Sequence, residues 1–180
     1  MSTITPDSVT PDAIVIRPAT PDDYPAIAEL TVEAYEADGH LTDENGYRET
    51  LADVAGRASS GEILVAAAGS EVLGAVLFLP TPGSPYSEIA RPGEAEFRML
   101  AVAPRAQRRG IGERLVRACL DRARAAGAQA VVISARDFVQ APLRLYARLG
   151  FVRIPERDWS PLPGVQLLAL KYDLTTPRSE

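Results

Sequence analysis

Residues 101–112 read AVAPRAQRRGIG, the end of a strand followed by a basic turn that opens a helix. The first backbone N–H groups of a helix have no partner within it, and they carry the positive end of the helix dipole. Gly110 and Gly112 let an anion approach the backbone without interference from a Cβ atom, and Arg108 and Arg109 add positive charge beside it. This stretch therefore predicts a phosphate-binding turn at the start of a helix.

The turn does not match the two common nucleotide-binding loops. The third glycine of a dinucleotide-binding loop would stand where the chain has Leu115. A Walker loop needs a lysine followed by Ser or Thr, and the single lysine of the chain is Lys171. Neither a dinucleotide site nor an ATP site is expected.

The composition is that of one ordinary soluble domain, with 180 residues, 46% of them hydrophobic, and a net charge of −5. A single cysteine, Cys119, and a single histidine, His40, exclude a disulfide framework and a Cys/His zinc site. No apolar run approaches the roughly 20 residues that cross a bilayer, and residues 1–12 do not resemble a signal peptide. We therefore expect a cytoplasmic protein that binds neither a metal nor a membrane.

Charge is distributed unevenly along the chain. Residues 105–157 contain 12 arginines and four acidic residues, so this part carries +8 and the remainder −13. Most of these arginines alternate with Ala and Leu at helical spacing, which is typical of exposed helix faces rather than of a nucleic-acid surface. The acidic remainder favours a cationic partner.

Periodicity and turn residues predict a single α/β (α+β) domain over residues 13–174, between loose tails at 1–12 and 175–180. Its sheet is expected to be mixed, with helices on both faces. Strands are predicted at 14–17, 63–68, 72–79, 96–102, 130–134, 151–154 and 165–174. Helices are predicted at 21–36, 45–58, 111–126 and 141–149, and a long irregular loop at 81–93.

Two motifs resemble the GNAT superfamily of acetyl-CoA-dependent N-acetyltransferases. Its pyrophosphate motif, Gln/Arg-x-x-Gly-x-Gly/Ala, is similar to Gln107, Gly110 and Gly112, between a strand and a helix. Its second signature resembles LYARLGF at residues 145–151, about one strand and one helix further on. The resemblance extends over residues 14–174, and its specific part is residues 96–151. It implies a single α/β (α+β) domain whose mixed sheet is mostly antiparallel, with helices on both faces.

The resemblance implies that acetyl-CoA binds along the strand and the turn as a co-substrate. The strand residues implied to contact the pantetheine arm are Leu100, Ala101 and Val102, and the turn residues implied to bind the pyrophosphate are Gln107, Arg108, Arg109, Gly110, Ile111 and Gly112. In the family this strand splays from the next one, and the thioester enters the gap, where an amide can polarise its carbonyl. Many members carry an Asn where this chain has Val139, and Gln140 is the candidate substitute.

The reaction that the resemblance implies needs a base, because most alkyl amines are protonated at pH 7. Glu96 occupies the strand position from which the family often supplies a glutamate base, and it is the predicted base here. The alternative is a structural ion pair with Arg98, two residues along the same strand face. Glu94 and Glu88 are the reserve candidates.

Tyr146 is predicted to be the general acid, because the resemblance places it near the departing sulfur; the alternative is a tyrosine that packs α-helix against sheet. Cys119 lies on an apolar helical stripe and is predicted to be buried. His40 is predicted to be exposed in a polar loop, with the acceptor pocket as the alternative. Trp159 is either a lid or a residue that caps the core.

The function implied is an N-acetyltransferase that moves the acetyl group of acetyl-CoA to a primary amine of a small molecule or peptide, by direct attack in a ternary complex. The alternative is an inactive module of the same fold that senses acyl-CoA. A homodimer is compatible with either function.

Overall fold

The computed structural model describes residues 13–39, 41, 46–137 and 139–177. Its strands are β1 (Ile14–Pro18), β2 (Glu62–Ala68), β3 (Glu71–Leu79), β4 (Glu94–Val102), β5 (Ala130–Arg136), β6 (Val152–Arg153), β7 (Trp159–Leu162) and β8 (Val165–Asp173). Its helices are α1 (Tyr24–Ala37), α2 (Tyr47–Ala52), α3 (Val54–Ser60), α4 (Ile111–Ala125) and α5 (Gln140–Leu149). The predicted tail at residues 1–12 lies outside the described residues.

The strands form one sheet in the order β1-β2-β3-β4-β5-β8-β6, with β7 paired to β8. All of the pairs are antiparallel except β4 with β5, which are parallel and are connected through α4. The prediction of a mixed, mostly antiparallel sheet with helices is thus confirmed. Its strand order divides the sheet into two antiparallel halves that meet at the β4–β5 pair.

The two halves of the sheet are joined by a short ladder. Glu94, Ala95 and Glu96 of β4 pair with residues 130–132 of β5. Beyond that point β5 continues along β8 as far as Arg136, while β4 continues along β3. The carboxyl ends of the two parallel strands therefore separate, and a gap opens between them.

A β-bulge shapes β4 on the side of this gap. The pairing with β3 shifts between Ala75 and Leu77, so that Met99 and Leu100 together stand opposite Val76. Met99 has a φ of 55°, which is rare for a residue with a side chain. A bulge bends its strand and increases the local twist, and here it lies where β4 leaves β5.

Helices α1 and α4 cover opposite faces of the sheet. A Cβ atom at Gly74 would meet Ile111 and Leu115 of α4 at 3.0 and 3.1 Å. The next residue, Ala75, lines a small space together with Ile27 of α1. Because successive residues of a strand point to opposite faces, the two helices lie on different sides.

The structure corrects the predicted elements at two places. The predicted helix at 45–58 is two helices, because Asp53 leaves the helical conformation at ψ 72° and its carboxylate caps α3 by accepting from the Gly56 N–H at 3.0 Å. Between the predicted strands at 151–154 and 165–174, where no element was predicted, the chain forms β7, in which Trp159 pairs with Leu167 of β8.

The core is continuous under both halves of the sheet. Cys119 is fully buried on α4 beside Leu115 and Ala123, as predicted, and burial raises the pKa of its thiol. The thiol therefore stays protonated and behaves as a small apolar side chain.

Replacing Gly74 by alanine should destabilise the protein, because the added methyl group would lie 3.0 Å from Ile111 Cγ2 and 3.1 Å from the Ala101 carbonyl oxygen. Overpacking of this kind costs about 1–3 kcal/mol. Chemical denaturation measures the change. The matched control is Gly112→Ala on α4, whose new methyl group would make only ordinary contacts at 3.6 and 3.8 Å. Equal stabilities of the two variants would contradict the prediction.

Candidate active site

A cavity of about 280 Å³ lies where β4 and β5 separate. Its walls come from β4, β5, α5, the end of α1, the start of α2, the loop between β3 and β4, and the hairpin of β7 and β8. Its titratable and hydroxyl-bearing lining residues are Tyr35, Asp38, Tyr47, Glu88, Arg98, Ser134, Arg136 and Tyr146. Ligands of sheets that contain parallel strands bind outside the carboxyl ends of those strands, and the cavity has that position.

Tyr146 reaches the cavity from α5 and is 6% exposed. Its ring packs against Phe97 and Phe151, with centroid distances of 6.0 and 5.6 Å. Burial raises the pKa of its phenol, so the hydroxyl is protonated at neutral pH. Among the described residues, this hydroxyl has no hydrogen-bond partner. A buried hydroxyl without a partner fits a site that a ligand completes.

Glu96 lies on β4 with its side chain fully buried. Its Oε2 atom accepts hydrogen bonds from Ser87 Oγ at 3.0 Å and from the backbone N–H groups of residues 88, 89 and 90 at 3.0, 3.4 and 3.2 Å. Arg98, which the sequence offered as an alternative partner, instead pairs with Glu88. Glu96 thus holds the loop between β3 and β4, and its role as the base stays a prediction.

A second buried carboxylate, Glu94, holds the other end of the same loop. Arg157 binds it through two hydrogen bonds of 2.6 and 3.0 Å, and the Arg91 N–H donates at 2.9 Å. Burial works to raise the pKa of Glu94, but Arg157, the Arg91 amide and Lys171 together lower it below its usual range. Arg157 also donates to the Ile89 carbonyl, so the loop is tied on both sides of position 88.

Glu88 is the residue of this loop that lines the cavity. Its Oε1 lies 2.5 Å from Arg98 Nη2, and Arg98 Nη1 donates to the Tyr86 carbonyl at 2.7 Å. Burial raises the pKa of Glu88, and the Arg98 guanidinium and a hydrogen bond from Ser134 offset only part of that rise. A partly exposed carboxylate with a raised pKa therefore stands in the cavity wall.

Ser134 is a site residue that the sequence did not single out. It lies on β5 and lines the cavity, and its Oγ accepts a hydrogen bond of 3.2 Å from Trp159 Nε1. Trp159 is thus a half-buried member of β7 that ties this strand to β5. No motif in the sequence indicates this contact, because the two residues are 25 positions apart and meet only in the sheet.

The N-terminus of α4 has the geometry expected for the phosphate-binding turn. Gly110 precedes the helix with a φ of 72°, and a side chain there would be strained. Residues 107–110 are exposed. Within the described part of the chain, neither Arg108 nor Arg109 forms an ion pair, whereas seven other arginines of residues 105–157 do.

The family Asn position is occupied differently. Val139 precedes α5 and lines the cavity. The Gln140 side chain donates to the Asp137 carbonyl at 3.4 Å, so it closes a local turn at the start of α5. His40, the other candidate of the acceptor side, lies outside the described residues.

Solved structures with this fold come from several bacteria. A GNAT-family acetyltransferase of Staphylococcus aureus Mu50 is 13% identical, with 91% of this chain and 100% of that one covered and a TM-score of 0.70. yncA of Salmonella typhimurium, solved with its cofactor acetyl-CoA, is 22% identical, with 93% of this chain and 98% of that one covered and a TM-score of 0.65. The ribosomal-protein-alanine N-acetyltransferase of Brucella melitensis is 20% identical, with 89% of this chain and 99% of that one covered and a TM-score of 0.63.

The model of the acetyltransferase (GNAT) family matches residues 24–151, which include β4, the turn, α4 and Tyr146. The chain belongs to this family and is an acyltransferase. The family uses acetyl-CoA. No curated protein matches the chain significantly.

None of the helices in the described residues is long and apolar enough to cross a membrane. In the same part of the chain, no three His, Cys, Asp or Glu side chains are grouped so that they could hold a metal ion.

Replacing Gly110 by valine should weaken acetyl-CoA binding by about tenfold or more, because losing one hydrogen bond to a charged group costs about 1.5–3 kcal/mol. Isothermal titration calorimetry measures the affinity. Gly127→Val is the matched control, since Gly127 follows the same helix with a φ of 76° and equally open surroundings. Both variants should lose stability to the same strained φ, and only Gly110→Val should lose affinity. Unchanged affinity would refute the site.

Proposed function

We propose that this acyltransferase moves the acetyl group of acetyl-CoA to a primary amine of a small molecule or peptide, by direct attack of the amine in a ternary complex. The observation that carries the proposal is the cavity at the β4–β5 gap, where a carboxylate and a buried, protonated phenol face the same space.

The residues present fit acetyl-CoA at two places. The N-terminus of α4 suits a pyrophosphate, with Gly110 before it and, beside it, Arg108 and Arg109, which form no ion pair with the residues that the structure describes. The separated edge of β4 at Leu100, Ala101 and Val102 leaves backbone groups for an extended arm, because the ladder with β5 has already ended. When bound, acetyl-CoA supplies an acetyl group activated as a thioester, and the coenzyme A sulfur is the leaving group.

The protein's own groups handle protons. A carboxylate is needed to take the proton of an ammonium, and the resemblance to the family suggested Glu96 for this role. Tyr146 has a hydroxyl that can donate to a departing anion, and burial, which raises the pKa of its phenol, keeps that proton in place at neutral pH. Desolvation of the cavity makes such a donor more valuable than it would be in water.

The cavity supports a cationic acceptor. Asp38 and Glu88 contribute carboxylates to its wall. The rings of Tyr35 and Tyr47, whose centroids are 6.0 Å apart, line the same cavity. Aromatic faces and carboxylates together attract an ammonium group. Arg98 and Arg136 line the same wall, so an acceptor that also carries a carboxylate or another anionic group finds charges of both signs.

The proposed function is tested by measuring thiol release from acetyl-CoA in the presence of a panel of monoamines, amino acids, peptides and aminoglycosides. Acetylation of at least one amine, identified by mass spectrometry, supports it. Binding of acetyl-CoA without release in any mixture would indicate a non-catalytic acyl-CoA sensor instead.

Tyr146→Phe should lower kcat by about 10²-fold or more with acetyl-CoA affinity nearly unchanged, because the ring and its packing remain and only the proton donor is lost. Steady-state kinetics and calorimetry give the two quantities. The control is Tyr172→Phe, which removes a phenol from the same aromatic cluster, 5.4 Å from the Phe151 ring, but outside the cavity lining. A wild-type kcat for Tyr146→Phe would leave Tyr146 as a packing residue only.

A further inference from the structure

The carboxylate of Glu96 binds the loop between β3 and β4. Its Oε2 atom receives four donors, and one of them, the Glu88 N–H, is shared with Oε1 at 3.1 Å. The side chain is 0% exposed and does not line the cavity. Because the loop covers this carboxylate and the cavity does not reach it, a ligand in the cavity has no direct contact with Glu96.

The same contacts fix the backbone at position 88. The N–H groups of residues 88 to 90 point inward to Glu96, while the Ile89 carbonyl and the Tyr86 carbonyl are held by Arg157 and Arg98. The Glu88 side chain is thereby presented to the cavity, with 15% of its surface exposed. It is the accessible carboxylate of this loop.

We propose that Glu88 is the general base that deprotonates the acceptor amine, and that Glu96 is the positioning residue that holds Glu88 in place. This assignment rests on the proposed function, and it departs from the sequence prediction that Glu96 is the base.

The proton step is simple to write. The ammonium group of the acceptor gives one proton to a carboxylate oxygen of Glu88: an N–H bond breaks, an O–H bond forms, and the electron pair stays on nitrogen as the nucleophile. Arg98 is paired with the Glu88 carboxylate, and this ion pair keeps the Glu88 side chain oriented when the acceptor is absent. The proton leaves Glu88 for water through the open side of the cavity.

The charged and titratable groups around Glu88 come from every wall. Those that line the cavity are Arg98 on β4, Arg136 on β5, Tyr35 and Asp38 at the end of α1, Tyr47 on α2 and Tyr146 on α5, and Glu96 lies outside the cavity on β4. Burial is the main cause that raises the Glu88 pKa, and the negative charge of Glu96 adds to it, against the opposing effects of Arg98 and Ser134. A carboxylate pKa raised toward neutrality makes a better base at pH 7.

The experiment compares Glu88→Gln, Glu96→Gln and the control Glu71→Gln, which removes an exposed carboxylate paired with Arg105 at 3.0 Å. Two quantities are measured on the full chain: kcat/KM from pH 6 to pH 10 with an amine that the wild type acetylates, and hydrogen exchange of the amides of residues 88 to 90 by NMR.

Glu88→Gln should lower kcat/KM at pH 7 by about 10²-fold or more, and the loss should shrink as the pH approaches the pKa of the amine, since a neutral amine needs no base. Its amide exchange should remain that of the wild type. Glu96→Gln should speed exchange of the three amides by about tenfold or more, because three N–H groups lose a charged acceptor. Its loss of kcat/KM should be similar at all pH values. Glu71→Gln should change neither quantity.

If Glu96→Gln does not fold, Ser87→Ala weakens the contact between Glu96 and the loop more mildly, because it removes one donor to Glu96 and leaves the carboxylate in place. It should speed amide exchange in the loop, with a pH-independent loss of rate.

A wild-type kcat/KM for Glu88→Gln at pH 7 would overturn the assignment of the base. Unchanged amide exchange in Glu96→Gln, together with a loss of rate that high pH restores, would return the base to Glu96. A wild-type protein that acetylates no amine would overturn the proposed function, and the base assignment with it, whereas active wild-type protein with active Glu88→Gln overturns the base assignment alone.

Discussion

The three-residue ladder between the parallel strands β4 and β5 is the constraint on which the site depends. A longer ladder would close the sheet and leave no room between the strands, and an absent one would leave the two halves unconnected. The bulge at Met99 bends β4 away at the point where the ladder ends. Buried Arg57 of α3 donates to the Met99 sulfur at 3.1 Å. This contact holds the Met99 side chain in place and so supports the positive φ of Met99, which is unfavourable by itself.

Buried charge gives the cavity wall its rigidity. Glu94 and Glu96 occupy alternate positions of one strand, so both carboxylates reach the same loop. Charged groups without partners are costly in a protein interior, and here every displacement of the loop would leave a carboxylate or a guanidinium without its contacts. A long loop with three prolines between residues 82 and 92 is therefore an ordered wall rather than a flexible lid. Groups held in advance in this way do not need to reorganise during a reaction.

Periodic patterns and the two motifs were enough to predict most of the fold, including the turn between β4 and α4, because these features depend on local sequence. The break at Asp53 was not predicted, since one carboxylate ended a helix that the apolar spacing continued. Strand β7 was not predicted either, since its pairing with β8 outweighs a sequence rich in proline. The contacts of Glu96 were hidden for a third reason: the partners are backbone amides of an irregular loop, and amides have no signature in sequence.

Glu96 holds the loop and a different residue, Glu88, faces the cavity, and this separation has an evolutionary consequence. The loop is held mainly through its backbone and the Ser87 hydroxyl, so the side chain at position 88, which lines the cavity, is largely free of the task of maintaining the path of the loop. Substitutions there change the chemistry of the wall without changing its shape. Selection can therefore act on this one codon, and so on the proton chemistry of the cavity, while the carboxylates of β4 and the path of the loop stay the same.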